Sequence, residues 1–169
     1  ELGRYVDIPG TCGCGPVTRT GDGHAMDSNY IIKKENALMH DIRDDGDIET
    51  LVHAFYDRVQ EDERLDYIFN DFAEVDWDKH LPNMVDFWSN ILFQTRRYKG
   101  RPYRQHIPLP IEQMDFGRWY NLFVDTVDQH FEGGKAEYAK EMAGKIASSF
   151  SVRMETDGKF KNNQSEDGW

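Results

Sequence analysis

Apolar positions through the middle of the chain recur at three- and four-residue intervals, the spacing of one helix face, and almost never alternate as in a strand. In DDGDIETLVHAFYDRV, the residues Ile48, Leu51, Val52, Phe55, Tyr56 and Val59 fall on a single stripe, with Asp47 the expected N-cap. YIFNDF, at 67–72, reads as a short aromatic turn or helical stub. In VDWDKHLPNMVDFWSNILF a second stripe collects Leu81, Met84, Val85, Trp88, Ile91 and Leu92. Proline is tolerated in a first turn, so Pro82 predicts that this helix becomes regular near Asp78. A long helix is expected from about Glu112 to Phe131, striped by Phe116, Trp119, Phe123, Val127 and Phe131 and stopped by Gly133-Gly134. The last helix gathers Ala136, Ala139, Met142, Ala143, Ile146, Ala147 and Phe150 on one side, small enough to admit a close neighbour. The pattern predicts an all-α fold.

The two ends read differently. Residues 1–38 are rich in Gly, Pro and Thr without helical or alternating spacing, and are expected to be a flexible or cloning-derived extension. The folded domain is expected over 39–154, and 155–169, poor in core residues, as a C-terminal tail. A chain of 169 residues with 38% hydrophobic and 13% aromatic content can build one sizeable core. The 20 Lys and Arg against 31 Asp and Glu leave a net charge of −11, which disfavours nucleic acid or an anionic membrane surface as the main partner. No apolar run approaches the roughly 18–20 residues of a membrane span, and no signal-peptide pattern opens the sequence, so a cytoplasmic protein is expected.

Candidate chemistry starts with RPYRQHIPLP at 101–110. Pro108 and Pro110 forbid a regular helix after His106, so the imidazole must end a short helical turn or lie in a loop. Arg96, Arg97, Lys99, Arg101 and Arg104 crowd the same stretch with no acid among them. They form either a solvated basic loop or a site for carboxylates or phosphates. His80 points into the apolar stripe of its helix. It is either a core histidine satisfied by a backbone carbonyl or a polar group facing a cavity or ligand. Tyr56 and Trp119 pose the same choice, since each places a donor on a buried stripe. Leaving three such groups unpartnered costs about 1–3 kcal/mol each, which favours their convergence on one polar atom. A single imidazole, an apolar slot, opposing donors and cations at the rim suit a haem, whose porphyrin supplies four ligands and asks the protein for one. Zinc fits less well, because the folded region has no HxxxH, HExxH or CxxC pair.

Several segments then resemble one family in its own order. They are FYDRV with Tyr56, IFN with Phe69, WDKHLPNMVDFW with His80, YKGRPYRQHIPLP with His106, FGRWYNLF with Trp119, and the final AxxMAxxIAxxF helix. From about Asp47 to Met154, two-thirds of the chain, the sequence is similar to the group III truncated haemoglobins, short bacterial globins. The resemblance implies a helix-on-helix (2-over-2) globin fold enclosing a noncovalent b-type haem. His106 would be the proximal iron ligand, and Tyr56, His80 and Trp119 the distal set. Phe69, Met84 and Phe87 would wall the pocket, with Tyr98 and Arg101 at the propionate rim. The implied activity is reversible binding of O2 or another diatomic ligand, as in oxygen transport, with a reductase to recycle the iron. A haem enzyme on the same scaffold, an NO dioxygenase or peroxidase, is the main alternative, and a cofactor-free helical interaction module the third. His80 would be a third donor, a gate or a sixth ligand. Cys12 and Cys14, as C-x-C, lack the CxxCH haem-attachment pattern and are too close for an easy disulfide. They are expected to lie in an inert tail or cloning-derived leader, with a soft-metal site that includes His24, or thiol exchange, as the other readings. His40, His53 and His130 are expected at the surface or its boundary.

Overall fold

The computed structural model describes residues 39–160, so Cys12, Cys14 and His24 lie outside the described residues. Six α-helices and one π-helical turn follow in order. They are α1 (Asp45–Glu61), α2 (Glu63–Asp66), the π turn (Tyr67–Phe72), α3 (Trp77–Phe93), α4 (Pro102–His106), α5 (Gln113–His130) and α6 (Gly134–Thr156). Among the described residues there is no strand, only one isolated bridge between His40 and Phe131. None of these helices is long and apolar enough to cross a membrane.

The predicted stripe of α1 is its buried face, whereas most of the α3 stripe is only half-buried. Ile48, Leu51, Val52, Phe55, Tyr56 and Val59 all close inside α1. Its cap differs from expectation: Asp44, not Asp47, is the N-cap and accepts from the Asp47 N–H at 3.1 Å. Asp47, now in the first turn, accepts instead from the Arg43 N–H at 2.8 Å. Asp44 thereby satisfies one amide donor that the helix start leaves free, and Asp47 ties down the residue before the cap. α3 begins at Trp77 and carries Pro82 at its sixth position, beyond the first turn where it was expected. The ring brings no N–H for the Asp78 carbonyl, so the early backbone ladder of α3 is interrupted there.

α1 packs on α3, and α5 on α6, while α1 also meets α5 and α3 meets α6. These contacts set two helix pairs one upon the other. α5 and α6 make the most extensive contact, because Ala136, Ala139, Ala143 and Ala147 are buried and let the backbones approach. The turn between them is clamped from the start of the domain. The Asp41 carboxylate accepts from the N–H groups of Lys135 and Ala136 at 2.9–3.0 Å, capping α6 from 94 residues away. Gly133, at φ +152°, passes so close that a Cβ there would strike that carboxylate. α6 runs to Thr156, two residues past the expected domain end, and Phe160 beyond it packs against the core.

Candidate functional site

His106 ends α4, the short helix that Pro102 starts and Pro108 and Pro110 prevent from continuing. Its Nδ1–H donates to the Pro102 carbonyl at 2.7 Å. A carbonyl can only accept, so this bond fixes the proton on Nδ1 and leaves the Nε2 lone pair free. The Phe150 ring of α6 meets the imidazole edge-on, with centroids 5.1 Å apart. Burial lowers the His106 pKa below the ordinary histidine value, against the opposing Pro102 bond. The ring is therefore neutral at neutral pH, the form that binds a metal.

His80 lies one turn into α3. Burial above all, and secondarily the nearby His106, push its pKa down to about 4. Its Nε2 is buried without any hydrogen-bond partner among the described residues. The backbone carbonyl that would make it an ordinary core histidine is missing. Three rings surround the imidazole: Tyr56 at 4.9 Å, Trp77 at 5.6 Å and Phe69 at 6.0 Å between centroids. The Tyr56 side chain is 5% exposed, and among the described residues its hydroxyl makes no hydrogen bond. Burial raises its pKa, with Tyr98 adding to the effect, so the group is a committed donor.

The sequence candidates thus fall into connected groups. Tyr56, Phe69 and His80 share one ring cluster. Trp119 joins it through Phe55, whose ring lies 4.9 Å from Tyr56 and 5.5 Å from Trp119. Trp119 also stacks on Phe123. Phe87 of α3 meets Tyr98 edge-on at 5.1 Å, which brings the basic loop to the same helix face. Met84 lies half-buried on that face, as do Leu81, Val85 and Ile91, an apolar wall the polypeptide only partly covers. Arg101 is exposed, and among the described residues it has no ion pair. The five cations do not act as one group. Arg97 is taken by carboxylates, at 2.8 Å from Asp45 and 2.9 Å from Asp86, and donates to Ser89 at 2.6 Å.

Two members were missed in the sequence. Trp77 completes the cluster but stood outside a helix expected to start at Asp78. Asn70 accepts from its Nε1–H at 2.8 Å. Only the fourfold spacing of Asp66 and Asn70 and the three-residue spacing of Trp77 and His80 hinted at them. Of the four other histidines, His53 and His130 are exposed and His40 is half-buried beside Arg43, while His24 is outside the described residues. Among the described residues there is no group of three or more His, Cys, Asp or Glu able to hold a metal ion unaided.

A free imidazole nitrogen, a second imidazole nitrogen and a tyrosine hydroxyl without hydrogen-bond partners among the described residues, and a half-covered apolar wall fit a flat macrocycle that brings its own iron ligands. Residues 38–160 match the bacterial-like globin family, to which the chain belongs. Within it the chain is a group III truncated globin, a haem-binding protein of the globin type. It is 29% identical over 107 residues to the group 3 truncated hemoglobin of Campylobacter jejuni, covering 61% of this chain and 84% of that one. The crystal structure of group III truncated hemoglobin from Campylobacter jejuni superposes with a TM-score of 0.63 at 27% identity, over 69% of this chain and 94% of that one.

Proposed function

We propose that this protein reversibly binds O2 or a related diatomic ligand at a noncovalent b-type haem held by His106. When bound, the haem supplies the iron at which such a ligand attaches. The observation that carries the reading is the His106 ring itself, neutral, with Nδ1–H spent on Pro102 and Nε2 free. The carbonyl bond holds the ring's orientation, as partners of metal-binding histidines do. Phe69, Met84 and Phe87 wall the macrocycle, and Tyr98 and Arg101 receive the propionates, where an arginine fork suits a carboxylate.

Tyr56 and Trp119 donate hydrogen bonds toward the ligand's outer atom, and His80 acts as a movable gate on the same side. The gate reading draws support from the missing partner of His80 and from the interrupted ladder at Pro82. Repeated use needs an electron donor, an as yet unidentified reductase, to return oxidised iron to the ferrous state.

The competing enzymatic reading, peroxidase or NO dioxygenase, is less supported by the proximal bond. His106 leans on a neutral carbonyl rather than a carboxylate, which gives less electronic push toward O–O cleavage. Protein expressed with haem supply is expected to show a Soret band and to bind O2 reversibly in the ferrous form. A protein without that band would be a cofactor-free helical module. Rapid peroxide turnover with an organic reductant would instead favour the peroxidase.

A further inference from the structure

With no polar partner for its buried Nε2 among the described residues, the His80 ring is placed by packing alone. Tyr56, Trp77 and Phe69 all meet it close to perpendicular, at 86°, 87° and 78°. Tyr56 is rooted in the buried stripe of α1, and Phe69 in the π turn. Trp77 belongs to α3 itself, one turn before His80. Asp76 gives that helix no side-chain cap, and Pro82 removes the amide that would have tied down the Asp78 carbonyl. Among the described residues, Trp77 is nonetheless the one ring of the three with a directed polar bond. Its indole N–H donates to Asn70 Oδ1 at 2.8 Å, and Asn70 Nδ2 donates onward to Asp66 Oδ1 at 2.5 Å. Phe69 stacks on it at 6.0 Å and 16°. The π turn, a local widening often found at functional sites, bears both Phe69 and Asn70.

We propose that Trp77, anchored by Asn70 and Asp66, is a positioning residue that latches the His80 ring inside the pocket. This rests on the reading of His80 as a gate. The chain of side-chain bonds fastens the first turn of α3 to the π turn in place of the missing cap. Without it, the indole drifts and the imidazole loses the one wall that moves with its own helix.

The test is the rate at which diethylpyrocarbonate modifies His80 in the haem-loaded, CO-bound protein, read by peptide mass spectrometry with exposed His53 as internal control. Trp77→Phe and Asn70→Leu are expected to raise the His80 rate about fivefold, the population shift that losing a hydrogen bond of about 1 kcal/mol produces. CO association should quicken in parallel. The swap Asp66→Asn with Asn70→Asp reverses donor and acceptor between the two positions and still offers an oxygen to the indole, so it should restore the native rate. Unchanged His80 modification in both single variants overturns the latch. So does a swap that stays as reactive as Asn70→Leu. Asn70→Ala replaces Asn70→Leu if the latter melts at assay temperature. A missing Soret band in the wild type would sink the haem reading alone, because the modification ratios can be measured on the chain with or without haem.

Discussion

The distal role proposed for Tyr56 would cost the fold little. Its ring belongs to the core, but among the described residues its hydroxyl has no partner. Replacing it with Phe therefore removes nothing that the described structure uses. Unfolding should hardly change, whereas O2 release should quicken about tenfold or more, the loss of a donor worth about 1.5–3 kcal/mol to a charged acceptor. Stopped-flow O2 displacement measures this, and an unaltered rate removes Tyr56 from the distal role. At this scale His106 was the most legible residue, because prolines on its C-terminal side dictate where a short helix must end. His80 was legible only as a polar residue on an apolar stripe. Whether it had a partner depended on groups from other elements. Trp77 and Asn70 were hidden for a like reason: their bond spans seven residues across a turn whose π geometry no apolar pattern announces.

At the scale of elements, periodicity located every long helix because each buries one face. Their ends depended on individual bonds. Asp44 displaced Asp47 as the cap of α1 because two acids compete there and three-dimensional geometry decides. The cap of α6 is Asp41, almost a hundred residues upstream, which no local signal could reveal. Burial opposes ionisation of Asp41, but the N–H groups of Lys135, Ala136 and Ile42, with the Lys135 charge, outweigh it and hold its pKa below 3.8. A carboxyl whose pKa falls on folding contributes stability above its unfolded value and loses it as pH drops through the folded one. Asp41→Asn, which keeps an acceptor but loses the charge, should cost about 1 kcal/mol at neutral pH. Urea unfolding should show that gap closing as pH falls below 3.8. A gap independent of pH would mean that the charge has no part in the cap. The alanine stripe gives a second expectation. Ala143 is fully buried on α6, whose most extensive contact is with α5, so Ala143→Leu should overpack the core there and cost about 1–3 kcal/mol by the same assay. A neutral result would mean that the helices are not in close contact there.

The whole molecule brings His80 of α3 near enough to His106 of α4 for the second to help depress the first one's pKa. Long-range polar ties keep their carriers in place. Arg64 of α2 holds the buried Asp115 of α5 at 2.8 Å and the Pro110 carbonyl at 2.8 Å, which pins the turn following His106. Arg97 fixes the basic loop to α1 and α3 through Asp45 and Asp86. The all-α class was readable because helical spacing needs no partner to be seen. Convergence was not, and the sequence offered only the energetic argument that several inward donors want a common acceptor. Ties across about fifty residues, such as Arg64 to Asp115 and Arg97 to Asp45, have no periodic signature, so one cationic loop looked uniform when one of its arginines was already engaged.

The most direct measurement is haem retention after His106→Gly, followed by absorption spectroscopy with and without added imidazole. The variant is expected to lose its haem, or its native Soret band, while keeping its helical content. Free imidazole, entering the space vacated by the side chain, should restore the native spectrum. A variant that holds haem as tightly as the wild type, with the same spectrum and no response to imidazole, would contradict ligation through His106.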